Sequence, residues 1–252
     1  MAMYCRYEEG GQNDCIGADP CFLPRTSHIL EEMYTGGFSA VFDLSKYFHN
    51  YPTHKDDRPY LGLIHPITGV LYSYFGLPMG SANSPAVSGR GGNSFMRSMR
   101  ERFELFTGKG SANCYWTSFE GLGFDPKLGY GFILRNKDGL AVKLYGFVDD
   151  FLIHGPTLES VREALKIFLD YAVDCGFMAH PKKLTLPSQE VKYCGFLFNT
   201  VGRPCIKIPL AKRERALAIC DHLLNMPPSH QWSRLSLAVA AGVLESLSEA
   251  TP

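Results

Sequence analysis

Three aspartates carry the chemistry this sequence offers most clearly. Asp43 closes the short apolar run SAVFDL (39–44), and Asp149 and Asp150 stand side by side in YGFVDDFLI (145–153). Successive side chains of a strand point to opposite faces, so Phe42 and Val148 can face a core while the acids reach the other surface. If the two strands are neighbours, three carboxylates converge. Two such charges about 4 Å apart repel by ~1 kcal/mol in water and ~4 kcal/mol at an effective dielectric of 20, so a fold gathers them only around a counter-ion. All-oxygen ligation suits Mg2+, with Mn2+ as the alternative. Two such ions, roughly 3.5–4 Å apart, suit displacement at phosphorus, with the attacking and leaving oxygens both stabilised. Each piece alone is ordinary: Asp-Asp is a common turn dipeptide, and an Asp after a strand is often a helix N-cap.

The acids need strands to hold them and helices to back the strands. Thr26 is placed to cap a short helix with Ile29, Leu30 and Met33 on one face, ended by Gly36-Gly37. YLGLIHP (60–66) and VLYSYF (70–75) flank Pro66 and Gly69, a hairpin signal. After the Gly/Pro loop 76–85, Ser84-Pro85 opens a long helix that Gly89, Gly91 and Gly92 weaken. Residues 129–155 supply strands around an Asp138-Gly139 turn and a second tight turn at Asp149-Asp150. Thr157 starts an amphipathic helix with Val161, Leu165, Phe168, Leu169 and Ala172 inward, stopped by Gly176. VKYCGFLF (191–198) and CIKI (205–208) read as one more hairpin, and two helical patterns follow Pro209. That order describes an α+β layered fold.

Composition narrows the setting. The 252 residues are 45% apolar and 20% charged, as in an ordinary globular protein. No apolar run approaches the ~18 residues of a membrane span, so no membrane partner is expected. The eight cysteines include no C-x-x-C pair, which disfavours a zinc site or disulfide framework and fits reduced thiols in a cytoplasmic or nuclear setting. A net charge of zero weighs against nucleic-acid binding, but charge is segregated. Between Asp174 and Cys220 eight Lys/Arg face three acids, a basic wall beside an acidic centre.

The pieces also stand in a telling order. FDLSKYFHNYP (42–52), FGLPMGSANSPA (75–86), YGFVDDFLI (145–153), CGFMAHPKKLTLPSQ (175–189) and VKYCGFLF (191–198) resemble the five consecutive palm motifs of reverse transcriptases. The resemblance implies an α+β polymerase palm, an antiparallel sheet backed by helices, with partial fingers and the start of a helical thumb. Its divisions are a fingers remnant at 1–38, a palm at 39–208 with a fingers hairpin at 57–75 and an insertion at 107–135, and a thumb start at 209–252. The stretch QNDCI (12–16) and the divergent spacing of the motifs are similar to retrotransposons that integrate through a tyrosine recombinase.

Roles follow by position. Asp43 and Asp149 are the implied principal metal ligands, with Asp150 assisting and the Leu44 carbonyl adding an oxygen, around two Mg2+ ions. Phe48, five residues after Asp43, matches the aromatic under the incoming sugar, where a ring excludes a ribose 2′-hydroxyl; core packing with Tyr47 and Tyr51 is the simpler reading of the ring alone. Pro78, Met79 and Gly80 fall in the loop against the nascent pair, Met79 touching the nucleotide. Lys183, rather than Lys182, matches a lysine suggested to protonate pyrophosphate. Tyr193, Cys194 and Gly195 fall where the primer is gripped. The implied partners are an RNA or DNA template with its primer and deoxynucleoside triphosphates.

Departures sit beside these matches. Arg6 alone represents the basic fingers residues that hold a triphosphate, and Lys46 stands where many relatives have a small or acidic residue. With no basic fingers set to close over a nucleotide, the isolated chain is expected to extend a primer poorly, and RNase H, recombinase or integrase segments are expected to be missing from it. A non-catalytic nucleic-acid-binding remnant is the rival of another class; an RNA-dependent RNA polymerase or nucleotidyl cyclase is a third, against which Phe48 speaks.

Overall fold

The computed structural model describes residues 26–107, 115–116, 131–135, 141–227 and 233–250. Helix α1 (Thr26–Glu31) buries Ile29, and Met33 follows it into the same core; the chain turns at Gly36, φ +71°. Strand β1 (Phe38–Asp43) leads into a 3-10 turn, Tyr47–Asn50, and the short hairpin of β2 (Gly62–Ile64) and β3 (Leu71–Ser73) follows. Helix α2 runs from Ser84 to Thr107. Next come β4 (Tyr115–Trp116), β5 (Gly131–Arg135), β6 (Ala141–Phe147) and β7 (Asp150–Gly155). Helix α3 (Leu158–Asp174) precedes β8 (Thr185–Ser188), β9 (Glu190–Tyr193), β10 (Phe196–Asn199) and β11 (Cys205–Lys207). Helices α4 (Leu210–Asn225) and α5 (Arg234–Glu245) end the described chain.

The architecture is the expected α+β palm, an antiparallel six-stranded sheet in the order β4-β5-β6-β7-β1-β8 with helices behind it. Alternation along β1 and β7 sorts the residues by face. Ala40, Phe42, Phe151 and Ile153 meet α2 and α3 through Phe95, Val161, Leu165 and Phe168. Phe42 stacks on Phe151 at 5.3 Å and meets Phe168 at 4.3 Å. Burying each of these rings is worth about 1.5–3 kcal/mol. Val41, Tyr145 and Leu152 line the opposite face, packed with Ile29, Tyr193 and Phe198. Asp43 and Asp150 therefore share the face away from the large helices.

Helix α3 follows its sequence signals. Thr157 and Ser160 form a capping box, and Gly176 reverses the chain at φ +81°. Helix α2 runs through three glycines, and at two of them, Gly91 and Gly92, its neighbours leave no room for anything larger. A Cβ at Gly92 would lie 2.6 Å from the Tyr47 hydroxyl, and one at Gly91 would enter the Tyr51 ring. The Tyr47 hydroxyl donates to the Ser88 carbonyl at 2.8 Å, locking the 47–51 turn onto the helix. Gly91→Ala is thus expected to destabilise the fold by about 1–3 kcal/mol, although alanine is the better helix former. Urea unfolding checks this; a gain in stability would contradict the close approach.

Two expectations change in detail. The expected single strand at 191–198 is two strands, β9 and β10, folded back across Cys194 (φ +48°) and Gly195 (φ +78°); with β11 they form a three-stranded sheet. The tight turn expected at Asp149-Asp150 lies one residue earlier, at Val148-Asp149, because Phe147 pairs with Asp150. Within the expected insertion at 107–135, β4 and β5 extend the edge of the palm sheet. The Asp138-Gly139 turn, the side chains of Trp116 and Phe119, and the N-terminal segment with Arg6 and QNDCI lie outside the described residues or side chains.

At the far end of β7, His154 is fully buried. The Tyr34 amide donates to its Nε2 at 2.8 Å, so the proton sits on Nδ1 and is donated to the Ser39 hydroxyl at 2.8 Å. Burial, and then the nearby Lys143 charge, lowers its pKa from 6.5 to about 4. A depressed imidazole contributes stability above the unfolded value near 6.5 that is lost as pH falls toward 4. NMR titration should find His154 neutral at pH 5.5, with a midpoint near 4; a midpoint near 6.5 would contradict this packing.

Candidate active site

β1 and β7 pair antiparallel with Asp43 opposite Asp150, and the Leu44 amide donates to the Asp149 carbonyl at 3.0 Å. Asp149 hangs from the hairpin that joins β6 to β7. Carboxylate oxygens of Asp43, Asp149 and Asp150 all lie within 4.8 Å of one another. Asp43 is 4% exposed, and the other two are half-buried.

The hairpin reaches this position at a local cost. Val148 is its first central residue and has φ +60°, whereas Asp149 has no positive φ, the pattern of a II′ turn in which glycine is favoured. A β-branched residue there is strained, by about 1–3 kcal/mol, and needs surrounding structure to hold it. Packing of Val148 against the helix-side core supplies part of that hold. From below, the Tyr193 hydroxyl lies 3.5 Å from the Asp150 carbonyl.

Electrostatics report the crowding. Burial first, and then the charges of Asp149 and Asp43, push Asp150 up from 3.8 to about 6. Asp149 is also raised, mainly by burial and with a contribution from Asp43. Lys183, in the turn Pro181–Lys183, touches the Asp43 carboxylate, and that contact raises the lysine. The two adjacent lysines are thereby distinguished: Lys183 reaches the acids, while exposed Lys182 makes no ion pair among the described residues. The donor set of three carboxylates, all hard oxygens, fits one or two divalent cations.

The other sequence-picked residues surround this centre unequally. Tyr47 is buried, but Phe48 is only half-buried at the edge of the same turn, with its ring 6.2 Å from that of Tyr47. The loop 76–83 is tied down by the Leu77 amide on the Tyr51 carbonyl and the Ser84 hydroxyl on the Pro78 carbonyl. Gly76 fits only without a side chain, since a Cβ there would lie 2.5 Å from the His49 carbonyl. Pro78 is buried, Met79 is 53% exposed, and Gly80 turns at φ +96°. Tyr193 is buried, so only Cys194 and Gly195 of that trio reach the surface.

Sequence reasoning missed two participants, Val148 as the strained pivot and Lys183 as the partner of Asp43. The first had no sequence signal, since a valine does not announce a positive φ. The second was singled out by spacing, but its contact with Asp43 was not.

Residues 21–198 match the family described as reverse transcriptase (RNA-dependent DNA polymerase). The chain belongs to the reverse transcriptase family. Its ancestry is that of RNA-directed DNA polymerases, as the motif order implied. No curated protein matches its sequence. Among solved structures it is similar to a foamy viral protease-reverse transcriptase in complex with double-stranded DNA, at 15% identity and TM-score 0.61, covering 94% of this chain and 32% of that one. A second, in complex with RNA/DNA hybrid, has 15% identity and TM-score 0.60, covering 95% of this chain and 25% of the other. A third, with double-stranded DNA, has 17% identity and TM-score 0.54, with 91% and 36% covered. Identities this low establish the shared fold. The chain spans between 25% and 36% of the length of these proteins. Among the described residues, no helix is long and apolar enough to cross a membrane.

Proposed function

We propose that this chain provides the catalytic palm for template-directed DNA synthesis, with Asp43, Asp149 and Asp150 holding two Mg2+ ions that Mn2+ can replace. The observation that supports this reading is the meeting of three carboxylates from two paired strands at one surface point. Bound there, such ions supply Lewis-acid activation of a primer 3′-oxygen and charge stabilisation of the leaving pyrophosphate. The chain's own residues do the rest. Leu44 would add its carbonyl oxygen. Phe48 presents its half-buried ring where a ribose 2′-hydroxyl would clash. Pro78, Met79 and Gly80 offer a pinned loop with one exposed side chain to the incoming nucleotide. Lys183, already at the carboxylates, would give its proton to pyrophosphate. The Cys194-Gly195 turn, seated on buried Tyr193, would support the primer end.

In this reading residues 39–208 form the palm, with a fingers hairpin at 57–75 and the start of a thumb at 209–252. The partners are an RNA or DNA template with primer and deoxynucleoside triphosphates, and RNase H, recombinase or integrase segments would belong to the same polyprotein. Descent from a tyrosine-recombinase retroelement rests on QNDCI and the divergent motif spacing. The test is primer extension on RNA and DNA templates with Mg2+, Mn2+ or chelator, run on this chain and on the longest reading frame containing it. Metal-dependent deoxynucleotide addition by the longer protein is expected. Template binding without any addition would overturn the catalytic reading in favour of a binding remnant.

A further inference from the structure

Backbone contacts place Lys183 on Asp43. The His180 amide donates to the Asp43 carbonyl at 2.8 Å, the Ser45 amide donates to the Met178 carbonyl at 2.8 Å, and Leu44 bridges Ala179. The turn Pro181–Lys183 then closes with the Lys183 amide on the His180 carbonyl at 2.9 Å, which returns the lysine to the aspartate two residues after Pro181. The anion is fixed in the fold, whereas the Lys183 side chain is 57% exposed and reaches it from solvent. Its ammonium takes Asp43 Oδ2, one of the oxygens of the three-carboxylate cluster.

We infer that Lys183 is a displaceable resident cation of the carboxylate cluster, one that offsets the charge of Asp43 in the metal-free chain and must leave it before divalent ions are fully held. The inference rests on the metal-binding reading above and adds a role for this chain's own lysine. An ammonium on a carboxylate oxygen denies that oxygen to a metal and repels the incoming double charge. The lysine side of the pair is exposed, where solvent screening weakens it, so the lysine can be expelled by a divalent ion while still raising the concentration that is needed. Lys183 thereby tunes the metal threshold of the site separately from any part in proton transfer.

The experiment measures Mn2+ binding to the full chain by calorimetry, without nucleotide or nucleic acid, for the wild type, Lys183→Met, Lys183→Gln, Lys183→Arg and Lys182→Met. Removing the charge at 183 is expected to tighten Mn2+ binding roughly tenfold, a change expected for one cation taken from contact with the site. Lys183→Arg and Lys182→Met should stay close to the wild type; the latter controls for net charge. Lys183→Gln stands in if the methionine variant does not fold. Binding by the charge-removed variants no tighter than that of Lys182→Met overturns the inference while leaving the metal site intact. Absence of any Mn2+ binding that Asp149→Asn removes overturns the metal reading and this inference together.

Discussion

In the longest reading frame that contains this chain, Asp149→Asn is expected to lower Mg2+-dependent primer extension by at least about a thousandfold, or roughly 4 kcal/mol of transition-state stabilisation. The substitution keeps the shape of the side chain and removes its charge. Asp149 is a turn residue whose backbone carbonyl, not its carboxylate, ties the hairpin to Leu44, so the fold should survive. Relieving repulsion among three crowded carboxylates should even favour the metal-free fold slightly. Loss of activity with retained stability is therefore the signature of a metal ligand. Extension assays beside thermal unfolding measure both; near-wild-type extension by the variant would remove Asp149 from the chemistry.

Phe48→Ala should reduce discrimination against ribonucleotides by about 10- to 100-fold, some 1.4–2.7 kcal/mol, while slowing deoxynucleotide addition much less. The expectation rests on a contrast within one turn. Tyr47 is locked in the core by its bond to Ser88, but the neighbouring ring of Phe48 is half-exposed. A purely structural ring would change stability when removed and leave the choice of sugar untouched. Competition between matched ribo- and deoxynucleotides reads this directly. Unchanged sugar selectivity would return Phe48 to the core aromatics.

How much was legible in the residues depended on whether local chemistry or tertiary contact decided the outcome. The strand ending at Asp43 and the helix from Thr157 to Gly176 carry local signals, alternation in one and caps in the other, and the structure follows both. Pairing of Asp43 with Asp150 was foreseeable only as a condition, because nothing in either strand names its neighbour. The turn was misplaced by one residue since Asp-Asp looks like turn chemistry and Val148 does not; the strain at Val148 is imposed by the register of β6 against β7. VKYCGFLF looked like one strand because its apolar and aromatic residues outweigh a single glycine, yet Gly195 supplies the conformation a sharp reversal needs. Gly91 and Gly92 counted against α2 until the tyrosines they accommodate were in view.

Crystals of the chain soaked in Mn2+ and measured at the manganese absorption edge give the most direct view of the centre. Anomalous density should appear between β1 and the β6–β7 hairpin, about 2.0–2.6 Å from carboxylate oxygens of both Asp43 and Asp149. Carboxylates pointing apart, or density bound elsewhere and absent from this cluster, would contradict a shared divalent site and the polymerase chemistry derived from it.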